Sequence, residues 1–308
     1  MADRRTVLQP FDSLTPAPDD LDIEYWNGGE LPADDVLARV ELYVMPYTFD
    51  PSTGDIMRSL PRLAVVQTLT AGYEHVMPYL SDGVTLCNAR GVHDASTAEL
   101  AVALTLASLR RIPEFVRAQQ REEWAFGLYD ALADKTVLLV GYGAVGKAVE
   151  RRLEPFECDV LRVARTARDG VAGFEALPSL LGRADVVILT VPLTDQTRRM
   201  VDADFLAAMR DGTLLVNVAR GGVVDTDALL AELESGRLTA AVDVTDPEPP
   251  PPGHPLWTAP GLLISPHVGG STTAFEPRAR RLVLAQLDRF AAGDALANVV
   301  VAPPSPSH

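Results

Sequence analysis

Six strand-like apolar runs, separated by helical patterns, constrain the fold of this chain more than any other feature. The runs are nearly continuous in apolar residues, as expected for strands that are buried on both faces of a sheet. Their alternation with helices predicts an α/β domain built on a doubly wound parallel sheet. The six runs are Val137–Val140, Val160–Val163, Val186–Thr190, Leu214–Asn217, Ala240–Val244 and Leu262–Ile264.

A glycine motif follows the first run and opens a helical pattern that continues to about Leu153. In this strand–turn–helix setting Gly141 permits a tight turn, Gly143 lets a pyrophosphate approach the backbone, and Gly146 lets the helix pack closely. The N-terminus of the helix offers free N–H groups to phosphates. A purely structural glycine-rich turn is the alternative. We predict a Rossmann dinucleotide site on Gly141, Tyr142, Gly143, Ala144, Val145 and Gly146.

The end of the second run bears on which dinucleotide binds. A carboxylate that selects NAD is expected there, about twenty residues after the glycine turn. Ala164 stands at this place instead, followed by Arg165, Thr166 and Arg168. A hydroxyl and guanidinium groups suit a 2′-phosphate, so the sequence favours NADP over NAD. In the alternative, the two arginines are solvated loop charges, and NAD binds without a ribose carboxylate.

A second, smaller α/β domain is predicted from the first third of the chain, where five shorter strand-like runs occur. A sixth run near the C-terminus returns to it, and helical patterns over Ala95–Leu109 and Glu114–Trp124 bridge the two domains. We predict one domain over residues 1–100 with 285–308, and the dinucleotide-binding domain over 101–284. The runs of the smaller domain are Thr6–Gln9, Ile23–Trp26, Leu42–Met45, Ala64–Thr68, Thr85–Asn88 and Asn298–Val301.

The formal net charge of −15 argues against a nucleic-acid or anionic-membrane partner. The apolar helical pattern Leu100–Leu109 is too short to span a bilayer, and the N-terminus lacks a signal-peptide core, which predicts a cytoplasmic protein. Cys87 and Cys158 are read as small buried hydrophobes, and no metal site is predicted. An anionic substrate would need a local cationic pocket in so acidic a protein.

Four polar residues stand at or just beyond the ends of the last three runs, where open α/β sheets bind their ligands. They are Arg220, Asp243, Glu248 and His267. Reduction of a 2-keto acid builds negative charge on the carbonyl oxygen, and an imidazolium such as His267 can supply the proton. A carboxylate near it favours the charged imidazole, and the planar fork of an arginine can orient the substrate.

The motifs that hold these residues carry a resemblance. They are GYGAVG at 141–146, VPLT at 191–194, NVARGGVVD at 217–225, AVDVTDPEP at 241–249 and SPHVGGST at 265–272. In this order they resemble the D-isomer-specific 2-hydroxyacid dehydrogenase family, which includes glyoxylate/hydroxypyruvate reductases. The resemblance covers nearly the whole chain. It implies hydride transfer between NAD(P)H and a small 2-keto or 2-hydroxy acid, a flavodoxin-like substrate domain, and a homodimer built from the cofactor domain.

The resemblance also assigns roles to residues. It implies that Arg220, Glu248 and His267 are catalytic and that Asp243 orients the nicotinamide. It places the substrate on Ala71, Gly72, Arg220 and His267. It adds to the cofactor site Thr97, Val191, Pro192, Thr197, Val218 and Ala219.

Two other functions use the same architecture. Formate dehydrogenase pairs its histidine with a glutamine, so Glu248 argues against it. A dinucleotide-sensing binding protein, similar to the transcriptional corepressors that keep the catalytic residues, is the remaining alternative. The natural substrate is not readable from the sequence.

Overall fold

A computed structural model describes residues 4–48 and 50–303 of the chain. The strands of this part are β1 Arg5–Gln9, β2 Leu21–Tyr25, β3 Val40–Val44, β4 Val65–Gln67, β5 Thr85–Cys87, β6 Thr136–Val140, β7 Asp159–Val163, β8 Val186–Leu189, β9 Leu214–Asn217, β10 Thr239–Val242, β11 Leu262–Ile264 and β12 Val299–Val301. The α-helices of this part are α1 Asp34–Leu37, α2 Ser52–Asp55, α3 Asp94–Leu109, α4 Ile112–Gln120, α5 Ala144–Leu153, α6 Leu177–Leu181, α7 Ala203–Ala208, α8 Thr226–Glu234 and α9 Phe275–Ala292.

Internal contacts divide the chain into two compact units, Met1–His93 with Thr273–His308, and Asp94–Thr272. The predicted domain boundaries after residues 100 and 284 fall inside the continuous helices α3 and α9, whereas the unit boundaries lie at or just before the N-terminal ends of these helices. As a division into domains, the predicted boundaries stay a prediction. Residues 1–3, 49 and 304–308 of the predicted smaller domain lie outside the described residues.

The first unit contains a sheet in the order β12-β5-β4-β3-β1-β2. The pairs from β1 to β5 are parallel, and β12 joins β5 antiparallel. Apart from β12, the order is the flavodoxin-like one, which confirms the predicted α/β fold of this part. Helix α9 packs on the sheet through apolar residues that are fully buried, namely Ala279, Val283 and Leu287.

The second unit contains a sheet in the order β11-β10-β9-β8-β6-β7, all of it parallel. Beyond β7, the strand that comes third in a Rossmann sheet is reduced to one parallel bridge between Val163 and Ala172. Counting that bridge, the strand order is the doubly wound Rossmann order, and the predicted fold class is confirmed. The order reverses between β6 and β8, so the ligand-binding crevice of such a sheet is expected at their carboxyl ends.

In the second sheet two predicted strands end earlier than expected, because their last residues leave the sheet for the site. Thr190 follows β8, and its hydroxyl donates to the Gly141 carbonyl at 2.5 Å. Asp243 follows β10 and turns its carboxylate to a loop beyond β11.

The helix predicted over Glu114–Trp124 is wrong in its bounds. Helix α4 begins at Ile112, with Pro113 in its first turn, where the missing N–H is not needed. It ends at Gln120, and the chain turns at Glu122, which has φ +57°. No described helix is long and apolar enough to cross a membrane.

Candidate active site

The glycine turn after β6 is shaped by two close approaches. Gly141 has φ +103°, and a Cβ there would lie 2.7 Å from the Val191 nitrogen. A Cβ on Gly146 would collide with the Gly141 carbonyl oxygen, so helix α5 sits directly against the turn. Any side chain at either position would displace the backbone of the turn.

Gly143 differs from both, because a Cβ on it would have no heavy atom within 4 Å. This open space lies at the N-terminus of α5, whose first residues are Ala144 and Val145. Free N–H groups at a helix start and room beside a glycine backbone are what a pyrophosphate needs. The residues of the turn therefore fit a dinucleotide.

Tyr142 belongs to a polar cluster that links the glycine turn to α5 and β7. Its hydroxyl donates to the Glu150 carboxylate, which also pairs with Arg162 of β7, with 2.5 Å between Nε and Oε1. Partial burial raises the pKa of Glu150, but the hydrogen bonds from Arg162 and Tyr142 together hold it below its ordinary value. The same hydrogen bond to a carboxylate raises the pKa of Tyr142. Sequence reasoning missed Glu150 and Arg162, although an arginine inside an apolar strand was an available signal.

The loop after β7 holds the three residues predicted to select the cofactor. Arg168 reaches the glycine turn: its guanidinium donates to the Tyr142 carbonyl at 2.6 Å and lies 5.7 Å from the centre of the Tyr142 ring. Arg165 and Thr166 are exposed, and within the described residues the Arg165 side chain has no hydrogen-bond or ion-pair partner. The structure thus brings Arg168 to the turn and leaves Arg165 open to a ligand.

The loop after β8 holds three further predicted cofactor residues. Val191 is buried and lies against the glycine turn, whereas Pro192 is exposed. The hydroxyl of Thr197 is used inside this loop, where it donates to the Pro192 carbonyl at 2.6 Å and accepts from the Thr194 amide at 2.8 Å. Thr197 therefore shapes the loop.

Arg220 follows β9 in a turn that is fixed by Asn217. The Asn217 side chain donates to the Arg220 carbonyl at 3.1 Å and accepts from the Ala219 amide at 3.0 Å. Val218 and Ala219 are buried, and the half-buried guanidinium of Arg220 donates to the Ala219 carbonyl at 2.7 Å. A Cβ on the following Gly221 would collide with the Thr245 carbonyl, so this turn packs against the start of the loop that carries Glu248.

Asp243 organises the loop that carries His267. It is 3% exposed, and its carboxylate accepts from the Ser265 hydroxyl at 2.6 Å and from the amides of Val268 and Gly269, each at 2.9 Å. Its carbonyl accepts from the His267 amide at 2.8 Å. Thr97 of α3 adjoins the cluster, since a Cβ on Gly269 would lie 3.5 Å from its hydroxyl.

His267 and Glu248 form a close pair of ionisable side chains beyond the ends of β10 and β11. Nδ1 of His267 lies 2.5 Å from Oε1 of Glu248, and Oε2 accepts from the Thr245 amide at 3.3 Å. His267 has φ +54°, a left-handed backbone that is uncommon for a residue with a side chain. Its two hydrogen bonds to the Asp243 and Ser265 carbonyls hold it there.

Electrostatics link Arg220 to this pair. Partial burial raises the pKa of Glu248, but the opposing influences together keep that pKa below its ordinary value. These influences are the hydrogen bond and charge of His267, the Thr245 amide and the charge of Arg220. Three residues predicted to be catalytic thus come together at the carboxyl edge of the second sheet.

Ala71 and Gly72 lie in the first unit, in the loop after β4. The Ala71 carbonyl accepts from the Asn88 side chain at 2.7 Å, and the Gly72 carbonyl accepts from the Thr70 hydroxyl at 2.6 Å. In the described part of the chain, neither residue donates its own N–H to a protein group. The loop therefore keeps backbone donors that an anion can use.

The family follows from comparison with known proteins. Residues 102–269, more than half of the chain, match the family model described as D-isomer specific 2-hydroxyacid dehydrogenase, NAD binding domain. The chain belongs to this family. As a D-2-hydroxyacid dehydrogenase it is an oxidoreductase that transfers a hydride between NAD(P)H and a small 2-keto or 2-hydroxy acid.

Individual relatives agree with this membership. The dehydrogenase is 31% identical over 280 residues to the glyoxylate reductase/hydroxypyruvate reductase of Mus musculus, with 82% of this chain and 83% of that protein covered. It is 34% identical over 251 residues to the glyoxylate reductase of Thermofilum pendens, with 77% and 74% covered. The crystal structure of a D-isomer specific 2-hydroxyacid dehydrogenase from Xanthobacter autotrophicus Py2, in complex with NADPH and MES, has a TM-score of 0.80 and 27% identity, with 97% and 98% covered.

Sequence reasoning did not identify the residues that hold the predicted catalytic side chains of the dehydrogenase in place. Ser265 and Asn217 each fix a turn beside a predicted site residue. Asn217 had a signal, since it is a polar residue that closes an apolar run. The alternative of a sensor without turnover is not favoured, because the relatives just described are named as enzymes.

Proposed function

We propose that this dehydrogenase is an NADP-preferring reductase of small 2-keto acids of the glyoxylate and hydroxypyruvate class. The observation that carries the proposal is the pair of His267 and Glu248, 2.5 Å apart, with the charge of Arg220 acting on it. The relatives named above, a glyoxylate reductase/hydroxypyruvate reductase and a glyoxylate reductase, support the substrate class.

His267 is the proton donor of the proposed reaction. Glu248 accepts a hydrogen bond from the Nδ1–H of the imidazolium and so orients the ring, and the Nε2 proton is the one transferred to the substrate's carbonyl oxygen in the proposal. The carboxylate also stabilises the positive charge that the imidazole carries before the transfer. The nicotinamide, when bound, supplies the hydride.

Arg220 orients the substrate in the proposal. Its guanidinium is half-buried and bonds to the protein through one terminal nitrogen, which leaves donors for a carboxylate and a carbonyl oxygen. The free backbone donors of Ala71 and Gly72 support their predicted role as binders of the substrate carboxylate. Both groups bind negative charge, as a 2-keto acid requires in a protein with a net charge of −15.

The proposed cofactor residues lie mainly in the turns and loops that follow the carboxyl ends of the strands of the second sheet. The turn of Gly141 to Gly146 holds the pyrophosphate, with Val191, Pro192, Val218 and Ala219 along the neighbouring loops. Asp243 and Thr97 lie together beside the His267 loop, which supports their predicted place near the nicotinamide. Asp243 also holds His267 in position.

NADP preference rests on the loop after β7. This loop offers Arg165, Thr166 and Arg168 and no carboxylate at the end of the strand. The similar Xanthobacter autotrophicus Py2 protein was crystallised with NADPH.

We expect Arg165→Ala to weaken the binding of NADPH about 10- to 100-fold, because a charge-assisted hydrogen bond is lost, and to leave the binding of NADH unchanged. Arg168→Ala should weaken the binding of both cofactors, because Arg168 also braces the glycine turn. An equal loss of NADPH and NADH affinity in Arg165→Ala would contradict the 2′-phosphate contact.

A homodimer is part of the proposal. Residues 121–131 carry three large apolar side chains that are almost fully exposed, Trp124, Phe126 and Leu128, at 93%, 91% and 102%. A row of this kind marks a protein interface, and a second copy of the chain is the partner that the family resemblance implies. The cytoplasmic location stays a prediction.

A substrate panel tests the proposed function. NADPH and NADH oxidation is measured with glyoxylate, hydroxypyruvate, pyruvate and phenylpyruvate, for the natural chain and for His267→Ala. We expect turnover of glyoxylate or hydroxypyruvate with NADPH, and a loss of about 10²- to 10⁴-fold in kcat for His267→Ala with unchanged NADPH affinity. Tight NADPH binding without oxidation by any of the four acids would favour a sensor, and a fully active His267→Ala would remove the proton-donor role.

A further inference from the structure

The loop that carries Glu248 has few backbone donors of its own. Asp246–Pro255 contains six prolines, and a proline has no N–H with which to hydrogen-bond a neighbouring strand or turn. Donors that tether the carbonyl oxygens of this largely exposed segment to the protein must therefore come from other residues. The stiffness of each proline does not by itself decide where the loop lies relative to His267.

Three side chains supply these donors on both sides of Glu248. Before it, the Thr226 hydroxyl donates to the Asp246 carbonyl at 2.6 Å, and the Thr245 hydroxyl donates to the Pro247 carbonyl at 2.9 Å. After it, the indole N–H of Trp257 donates to two successive proline carbonyls, those of Pro250 at 3.3 Å and Pro251 at 3.1 Å.

Thr226 stands on an element outside the proline segment, and Trp257 follows the last proline of that segment. Thr226 is the first residue of α8, whose N-terminus is capped by the Asp225 side chain at 3.1 Å. Trp257 closes a short 3-10 helix, Pro255–Trp257, that is anchored by the buried Leu256. Trp257 itself is 53% exposed, so burial of its ring does not explain its place, whereas its N–H has two acceptors.

We propose that Thr226 and Trp257 are positioning residues that hold Glu248 against His267. The proposal rests on the proposed function of Glu248. Glu248 lies between two pairs of hydrogen-bonded carbonyls, those of Asp246 and Pro247 before it and those of Pro250 and Pro251 after it. Its carboxylate accepts from the Thr245 amide and contacts Nδ1 of His267. A displacement of the loop by a fraction of an ångström lengthens that last contact and weakens the support of the imidazolium.

Removing the donors while keeping the side-chain shapes is the test. Thr226→Val and Trp257→Phe are made singly and together in the full-length protein. Steady-state kinetics with NADPH and the best 2-keto acid are measured beside thermal unfolding. We expect the double variant to lose about tenfold in kcat, less than the ~100-fold of a full 1 Å misplacement. The KM for NADPH should change by less than about twofold, since the loop is not part of the dinucleotide turn.

Two conservative variants serve as controls. Thr226→Ser keeps the hydroxyl and should restore kcat to the natural value. Thr258→Val removes a hydroxyl that donates to the Pro255 carbonyl at 3.4 Å, beyond the segment that holds Glu248, and should leave kcat unchanged.

Glu248→Gln, measured in parallel, separates this inference from the proposed function. An impaired Glu248→Gln beside a fully active double variant overturns the positioning role alone. A fully active Glu248→Gln overturns the proposed function of Glu248 itself. A double variant that loses thermal stability and NADPH affinity along with kcat, or a Thr226→Ser that does not recover, also overturns the positioning role, because the contacts would then be merely structural.

Discussion

At the residue scale, the site depends on backbone conformations that residue types alone do not reveal. His267 follows a proline and adopts φ +54°, which costs of the order of 1 kcal/mol for a residue with a Cβ. Hydrogen bonds to the Asp243 and Ser265 carbonyls maintain this conformation. The pairing of His267 with Glu248 could be predicted, since an acid and an imidazole follow neighbouring strands. The left-handed backbone that aims the imidazole could not, because it depends on a carbonyl 24 positions earlier in the chain.

The lowered pKa of Glu248 predicts a pH-dependent contribution to stability. A carboxyl whose pKa is lower in the folded than in the unfolded state stabilises the fold above its unfolded pKa, and this contribution is lost as pH falls through the folded pKa. Glu248→Gln should therefore lower the free energy of unfolding at pH 7, and the difference from the natural chain should shrink below about pH 4, the ordinary range of the group.

Denaturant unfolding at pH 7, 5 and 3.5 measures this difference. Glu30→Gln is the control for an exposed carboxyl, because the Glu30 side chain has no hydrogen-bond or ion-pair partner among the described residues, and it should change the free energy of unfolding little at all three pH values. A difference for Glu248→Gln that stays the same from pH 7 to pH 3.5 would contradict the inferred ionic contact.

At the element scale, the strands could be predicted and several boundaries could not. The six apolar runs of the second unit all become strands, because burial on both faces demands such runs. The reduced third strand was invisible, since one bridge at Ala172 needs no apolar run. The end of α4 was missed because residues 121–124 continue a helical pattern in sequence, whereas the chain turns at Glu122.

Substitution of two glycines of the dinucleotide turn, Gly146 and Gly143, should have two distinct effects on stability and NADPH binding. Gly146→Ala should destabilise the protein and weaken NADPH together, because its Cβ would collide with the Gly141 carbonyl. Gly143→Ala should unfold at the same temperature as the natural chain, since its Cβ meets no heavy atom within 4 Å. It should nevertheless bind NADPH at least about tenfold more weakly, because the Cβ occupies the space through which the pyrophosphate approaches the backbone.

Thermal unfolding without ligand and NADPH titration by fluorescence distinguish the two variants. Gly212→Ala controls for loss of a glycine elsewhere in the unit: it has φ +82° and should destabilise without affecting NADPH affinity in the folded protein. Natural NADPH affinity in Gly143→Ala would place the pyrophosphate elsewhere.

At the scale of the whole molecule, two sheets with different strand orders share one chain that crosses between them twice. The first unit includes residues from both ends of the chain, and the second is continuous. The sequence predicts a smaller domain to which the last apolar run returns, and this division into domains stays a prediction. The predicted boundaries differ from those of the units, since helices α3 and α9 continue through the predicted boundaries.

The exposed apolar side chains of residues 121–131 predict the oligomeric state. Replacing Trp124, Phe126 and Leu128 together by Ser should convert a dimer to a monomer, because an interface loses most of its free energy with its aromatic anchors. The unfolding temperature of the monomer should fall only as far as dimerisation had raised it through mass action.

Analytical ultracentrifugation over a range of concentrations measures the change from dimer to monomer. Tyr25→Ser with Leu31→Ser, at exposed apolar positions of the first unit, is the matched control and should remain dimeric. A natural chain that sediments as a monomer, or a triple variant that stays a dimer, would show that the apolar row does not bind a second copy.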